Sequence, residues 1–272
     1  MSRLKNFSRN LATSYLQLGV NAVYSLVSVP LILHWLPKAE FGLWAVLVQL
    51  MGYVSIVDFG MTAAGARLLV DHKDDRKNGI YGSLVKTAFL VSASQGLIIL
   101  AAAASAAPVL AGLMNIPADH RGEFIALLEI QGAITAANFS LRPLGVILYA
   151  HQRMDLQSYA DMLNLVAQLG LLVAFFLKGC GIYSFVYANA ATLLLSPAWL
   201  LWHCWRLRFL PQAGEWGSAS WKIFTEVFSY GRQMFLFTLG AQLQMASQTI
   251  VVSRALGLES AALWSVRSES VV

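Results

Sequence analysis

Seven long apolar stretches, parted only by short polar joints, limit what this chain can fold into. They run over about 11–36, 41–69, 82–107, 124–149, 158–178, 181–205 and 231–254, and residues from about 258 open an eighth. A helix that crosses a bilayer needs about 20 mostly apolar residues, and each stretch meets that length. Of the 272 residues 57% are hydrophobic and 12% charged, with a mean hydropathy of +0.60. A soluble domain carries about 25% charged residues, so lipid must solvate much of this surface. The expected fold class is an all-α polytopic membrane protein.

Charge orients the spans. With the N-terminus inside and alternate joints on one side, the inner set is Arg3, Lys5, Arg9, Arg67, Lys73, Arg76, Lys77, Lys86, Arg153, Arg206, Arg208, Lys222 and Arg232. The outer set is Lys38, Arg121, Lys178 and Arg254, a 13-to-4 split. Short inner loops collect Lys and Arg, so the N-terminus is expected to be cytoplasmic. The same rule accounts for the net charge of +5 without nucleic acid as a partner. The N-terminal run continues to Trp35 without a cleavage pattern and reads as an uncleaved span. Residues 206–230, with Trp216, Trp221, Phe224 and Phe228 beside Lys222 and Glu226, read as an interfacial segment or as a loop with aromatic anchors.

An internal repeat organises the chain. Phe7-Ser8 and Leu18-Gly19 recur as Phe228-Ser229 and Leu239-Gly240, 221 positions later, and Asn21 becomes Gln242. With one residue dropped, Leu36, Leu43-Trp44 and Val46 recur as Leu256, Leu263-Trp264 and Val266. Six spans separate the copies, so both start on the same side, as in carriers built from parallel halves. The expected organisation is a six-helix lobe over 1–207, an interfacial linker over 208–230, and the first one to two helices of a second lobe over 231–272. On this reading the chain is a truncated form or a fragment of a two-lobe protein.

Polar residues within spans are the candidate sites. Asp58 lies inside the second span, where a charge is costly and usually faces a bundle interior or water; substrate contact, ion coupling, simple pairing with a nearby Arg and a place near the inner interface are its alternatives. Arg142 precedes Pro143 in the fourth span, four residues after Asn138. It has the fork geometry suited to phosphate, or it reaches the inner headgroups along its apolar stem. Arg67 shares that ambiguity. In the first span Gln17, Asn21, Ser25 and Ser28 fall within an ~80° arc at 100° per residue, which fits a cavity wall or polar helix glue. Thr238, Gln242, Thr249 and Ser253 form a similar stripe in the seventh. Glu129 and Asp161 are expected at the interfaces. Cys180 and Cys204 have no ligand-spaced partners and the five histidines are scattered, so no metal site or cofactor is expected. No catalytic motif appears, and an enzyme is not expected.

Short motifs carry a resemblance. Leu36-Pro37-Lys38-Ala39-Glu40-Phe41-Gly42-Leu43-Trp44, then Val57-Asp58-Phe59-Gly60 and Arg67, resembles the polysaccharide biosynthesis flippase family. Tyr149-Ala150-His151-Gln152-Arg153 resembles that family's inner loop after the fourth helix. Arg254-Ala255-Leu256-Gly257 with Ala262-Leu263-Trp264-Ser265-Val266 resembles its seventh-to-eighth helix junction. The resemblance implies two six-helix lobes around a cavity open to alternate sides. It implies transport of undecaprenyl-pyrophosphate-linked oligosaccharide across a bacterial inner membrane, with membrane lipids as surroundings and H+ or Na+ as a possible coupling ion. Under it, Arg142, Arg67, Asp58, Asn138, Gln17 and Asn21 are the substrate-binding candidates. The alternatives are a cation-coupled multidrug antiporter of the same superfamily, a remnant without transport, and a membrane glycosyltransferase or polymerase. The enzyme reading suffers from the lack of a sizeable outer loop.

Overall fold

Every regular element among the described residues is helical. The computed structural model describes residues 3–113, 118–233, 235, 236, 239 and 240. Most of the expected seventh span, the opening of the eighth, the Thr238 to Ser253 stripe and the repeat's second copy beyond Gly240 lie outside them. The first six spans are present. The first is α1 (Arg3–Trp35); the second is α2 (Lys38–Gly52), a 3-10 turn (Tyr53–Asp58) and α3 (Met61–Asp71). The third is α4 (Ile80–Leu113). The fourth is α5 (Ala118–Leu141) with α6 (Pro143–Ala150), the fifth α7 (Met154–Leu177), and the sixth α8 (Tyr183–Thr192) with α9 (Leu195–Arg206). A further helix, α10, covers 221–233.

Five of these spans are long and apolar enough to cross a membrane outright, and the second qualifies as a bent pair. Large apolar side chains cover the exterior: Leu26 is 75% exposed, Leu97 67% and Val166 64%. In water such a surface would aggregate; in lipid it is the expected exterior. The interior seams instead use small residues, which let backbones approach where no hydrophobic force separates helix from lipid. Ala103 of α4 lies directly against Gly132 of α5, and a Cβ added at Gly96 would meet the Ala136 carbonyl at 2.6 Å.

The alternation of joints inferred from charge is visible as contacts. Asn10 donates to the Gln152 carbonyl at 3.2 Å, and Arg76 donates to the Arg208 carbonyl at 3.0 Å. Asp155, 2% exposed, pairs with Arg9 at 2.9 Å and with Arg153 at 3.0 Å. The start of α1 and the joints after the second, fourth and sixth spans thus share one end, here called the basic end. At the opposite end Trp35 stacks on Phe176 and Trp44 on Phe185.

The segment after α9 is not a free loop. Glu215 pairs with Arg76 at 3.7 Å, Lys86 donates to the Gly217 carbonyl at 2.7 Å, and Tyr81 donates to the Phe209 carbonyl at 2.8 Å. Residues 209–217 are strapped across the basic end of α4. Gly79 and Gly217 allow it, since a Cβ on Gly79 would meet the Gly217 Cα at 3.3 Å, and Gly79 has a φ of +69°. Beyond the strap, α10 buries Val227 against Met61 and Ala64 and leaves Trp221 76% exposed.

Candidate functional site

Two spans break at the same depth, and their breaks face each other. In the second, the 3-10 turn ends at Asp58, and Phe59 and Gly60 both adopt left-handed conformations, with φ of 47° and 70°. The two helical pieces are bent by 43°. In the fourth, Pro143 has no N–H to give the Phe139 carbonyl. The Arg142 N–H takes that acceptor instead at 3.2 Å, which tightens the turn to 3-10 spacing. Arg142 Nη1 then lies 3.6 Å from Asp58 Oδ1, and its guanidinium sits 3.5 Å from the Phe139 ring centroid.

Backbone polar groups freed at the first break find a partner in the third span. The Gln95 side-chain amide donates to the carbonyls of Val57 and Asp58, each at 3.0 Å. Such groups cannot remain bare in a bilayer, so Gln95, only 5% exposed, holds the break open in one geometry. The Thr62 hydroxyl donates to Asp58. On the far side, a Cβ on Gly231 of α10 would meet the Phe59 carbonyl at 3.0 Å. The break is braced on both faces.

A cavity of about 760 Å3 opens beside this pair. Asp58, Thr62, Arg67, Arg142, Tyr149 and Gln157 are its polar lining, with Gly145 and small apolar residues between them. Two arginines face one aspartate, so the lining carries one net positive charge. Arg67 also contacts the Tyr230 hydroxyl and lies 4.7 Å from that ring's centroid, tying α3 to α10. Its carboxylate partner Asp71, at 3.9 Å, is a solvent-facing i,i+4 neighbour. The chemistry available is recognition of an anion by two guanidinium groups.

The structure brings Asp58, Arg67 and Arg142 together and separates the other three candidates from them. Asn138 lines a second, smaller pocket of about 170 Å3 with Gln131, Asn164, Asn189, Thr192 and Ser196. Gln17 donates to Asp161 at 3.2 Å across the α1–α7 seam, and Asn21 is exposed on α1. Asp161 was expected at an interface near a span end. α7 begins at Met154, so Asp161 lies two turns into that helix. The sequence reading missed Gln95, Thr62, Tyr149 and Gln157. An amide in the middle of the apolar third span was the available signal for Gln95.

The polysaccharide biosynthesis protein family profile matches residues 7–271. The chain belongs to that family. No curated protein matches it in sequence. Its fold is that of the MOP superfamily transporters. It is similar to a MOP superfamily transporter from Pyrococcus furiosus at a TM-score of 0.76 and 16% identity, covering 98% of this chain and 60% of that one. It is also similar to an outward-facing multidrug resistance transporter of the MATE family, at a TM-score of 0.71 and 14% identity, covering 97% and 59%. This family member therefore spans about 60% of the length of the solved transporters it resembles, and it is a multi-pass membrane protein.

Proposed function

We propose that this chain forms the first lobe of a flippase that moves undecaprenyl-pyrophosphate-linked oligosaccharide across the bacterial inner membrane. Residues 1–207 supply the lobe, 208–230 the linker and 231–272 the opening of the second lobe, and the N-terminus lies in the cytoplasm. The observation that carries the reading is the Arg142–Asp58 pair at two facing helix breaks, lining a cavity with a second arginine. A pyrophosphate cannot cross hydrocarbon with its charges bare. A hydrated cavity with net positive charge lowers that barrier, while the polyprenyl tail remains in lipid. Family membership and the 13-to-4 charge split support the substrate class and the orientation. A carrier of cationic drugs needs a carboxylate available to its cargo, and among the described residues the one in this lining, Asp58, is engaged by Arg142.

The test is surface glycan display in a flippase-deficient bacterium that makes the cognate sugar. The chain, completed by the second half of a family member, is expected to restore display, and Arg142→Ala and Arg67→Ala to reduce it at matched expression. Normal display from both variants would remove the site assignment. Failure of the parent protein to restore any display would remove the substrate class.

A further inference from the structure

Outside the cavity, two exposed positive charges, Arg206 and Arg208, lie where α9 ends. Trp199, Trp202 and Trp205 follow one another at intervals of three along this helix, and Trp202 and Trp205 are 46% and 71% exposed. Exposed Trp at a span end marks the headgroup depth of a bilayer. Arg206 lies 5.0 Å from the Trp202 ring centroid. Beyond it the chain turns back sharply: Arg208 has a φ of +55°, a strained value for a side chain of this size. Two contacts hold it there. The Arg208 carbonyl accepts from Arg76 at 3.0 Å, and its N–H donates to the Trp205 carbonyl at 3.1 Å.

The turn encloses a groove of about 630 Å3, lined by Trp205, Arg206, Arg208, Leu210, Pro211 and Gln212, among others. Among the described residues no carboxylate lines it. The acidic residue next along the strap, Glu215, is already engaged by Arg76 at 3.7 Å and by the Gln212 N–H at 2.9 Å. Among the described residues no ion pair reaches Arg206 or Arg208, although both are exposed. Two cations without an ion-pair partner among the described residues thus stand on a braced turn, beside Leu210, Pro211 and exposed tryptophans.

We propose that this groove is a binding site for the headgroup of an anionic phospholipid. The phosphodiester lies between Arg206 and Arg208, and the glycerol backbone and acyl chains run down past Trp205 and Trp202. Membrane depth selects a lipid rather than a soluble anion, because the groove begins at the end of a span. A bound lipid would hold the strap of residues 209–217 against the membrane surface, since Leu210, Pro211 and Gln212 belong to both.

Native mass spectrometry of the purified chain tests this, with phosphatidylglycerol and phosphatidylcholine supplied in equal amounts. Two cations near a membrane surface give roughly a thirtyfold preference for the anionic lipid. We expect Arg206→Gln/Arg208→Gln to lose most of it, Arg206→Lys/Arg208→Lys to retain most of it, and Lys178→Gln at the opposite end to leave it intact. Equal retention of both lipids by the parent chain would overturn the proposal. So would a loss of preference in Lys178→Gln equal to that of the double Gln variant, which would indicate a general charge effect. Displacement of phosphatidylglycerol by farnesyl pyrophosphate, dependent on Arg206 and Arg208, would assign the groove to a substrate headgroup and also overturn it.

Discussion

Arg142 Nη1 stands 3.6 Å from Asp58 Oδ1, and each residue marks a break in a different membrane span. The pair joins the fourth span to the second where neither is a continuous helix. Its side chains are 41% and 19% exposed, so water screens the attraction from the cavity side. A fully buried pair costs 3–5 kcal/mol when one partner is removed, and here about 1–2 kcal/mol is expected after that screening. Arg142→Ala and Asp58→Ala are each predicted to lower thermal stability in detergent by that amount, with the double variant close to either single one. Strictly additive losses in the double-mutant cycle would show that the two groups do not interact.

Gln95 is predicted to matter more for folding than its lack of charge suggests. Gln95→Leu preserves bulk but strips the donors from the carbonyls of Val57 and Asp58. Two buried carbonyls left without partners cost about 2–6 kcal/mol together. Thermal unfolding of the purified variant measures it, and an unchanged midpoint would mean that water or another donor replaces the amide.

The strap at the basic end carries a pH dependence. His151 stacks on Phe209 at 4.0 Å, accepts from Arg76 through Nε2 at 3.4 Å and donates from Nδ1 to the Ile147 carbonyl at 2.8 Å, an arrangement that requires the neutral ring. Burial holds its pKa below the ordinary 6.5, and Arg76 and Lys73 add to that against the opposing pulls of the Ile147 carbonyl and Asp74. Above 6.5 the ring is neutral whether the strap is docked or free, so docking is unaffected. Below it the free state takes up a proton that the docked state resists, so docking weakens as pH falls. Hydrogen exchange over residues 207–217, corrected for intrinsic rates, is predicted to quicken from about pH 7.5 to about pH 5.5. His151→Phe should abolish the difference while keeping the stack. Equal acceleration in that variant would place the titration elsewhere.

Span number was legible in sequence because each of the first six spans is a mostly apolar run of more than 20 residues and the joints between them are short. The shared end of alternate joints was legible too, from Arg9, Arg76, Arg153 and Arg208. The interior of the second span was less so. Its apolar run continues past Tyr53, and only Asp58 and Gly60 hinted at a break whose geometry depends on Gln95 of another helix. Within the site, Arg142 and Asp58 were visible singly, as charges in lipid, but their pairing depends on two breaks meeting at one depth. Gln17, Asn21 and Asn138 were grouped with them by polarity and helical spacing. Those criteria cannot tell a cavity wall from the Gln17–Asp161 seam or from the separate amide-lined pocket around Asn164 and Asn189.

Direct binding tests the central claim that the cavity beside Arg142 and Arg67 receives a pyrophosphate headgroup. The measurement is titration of the purified chain in nanodiscs of uncharged lipid with farnesyl pyrophosphate, followed by its thermal stabilisation. Losing one charge-assisted contact costs about 1.5–3 kcal/mol, so Arg142→Ala is predicted to bind roughly ten- to a hundredfold more weakly. Arg206→Gln, at the groove beyond α9, is predicted to bind as the parent does. Undiminished affinity in both Arg142→Ala and Arg67→Ala would contradict the account.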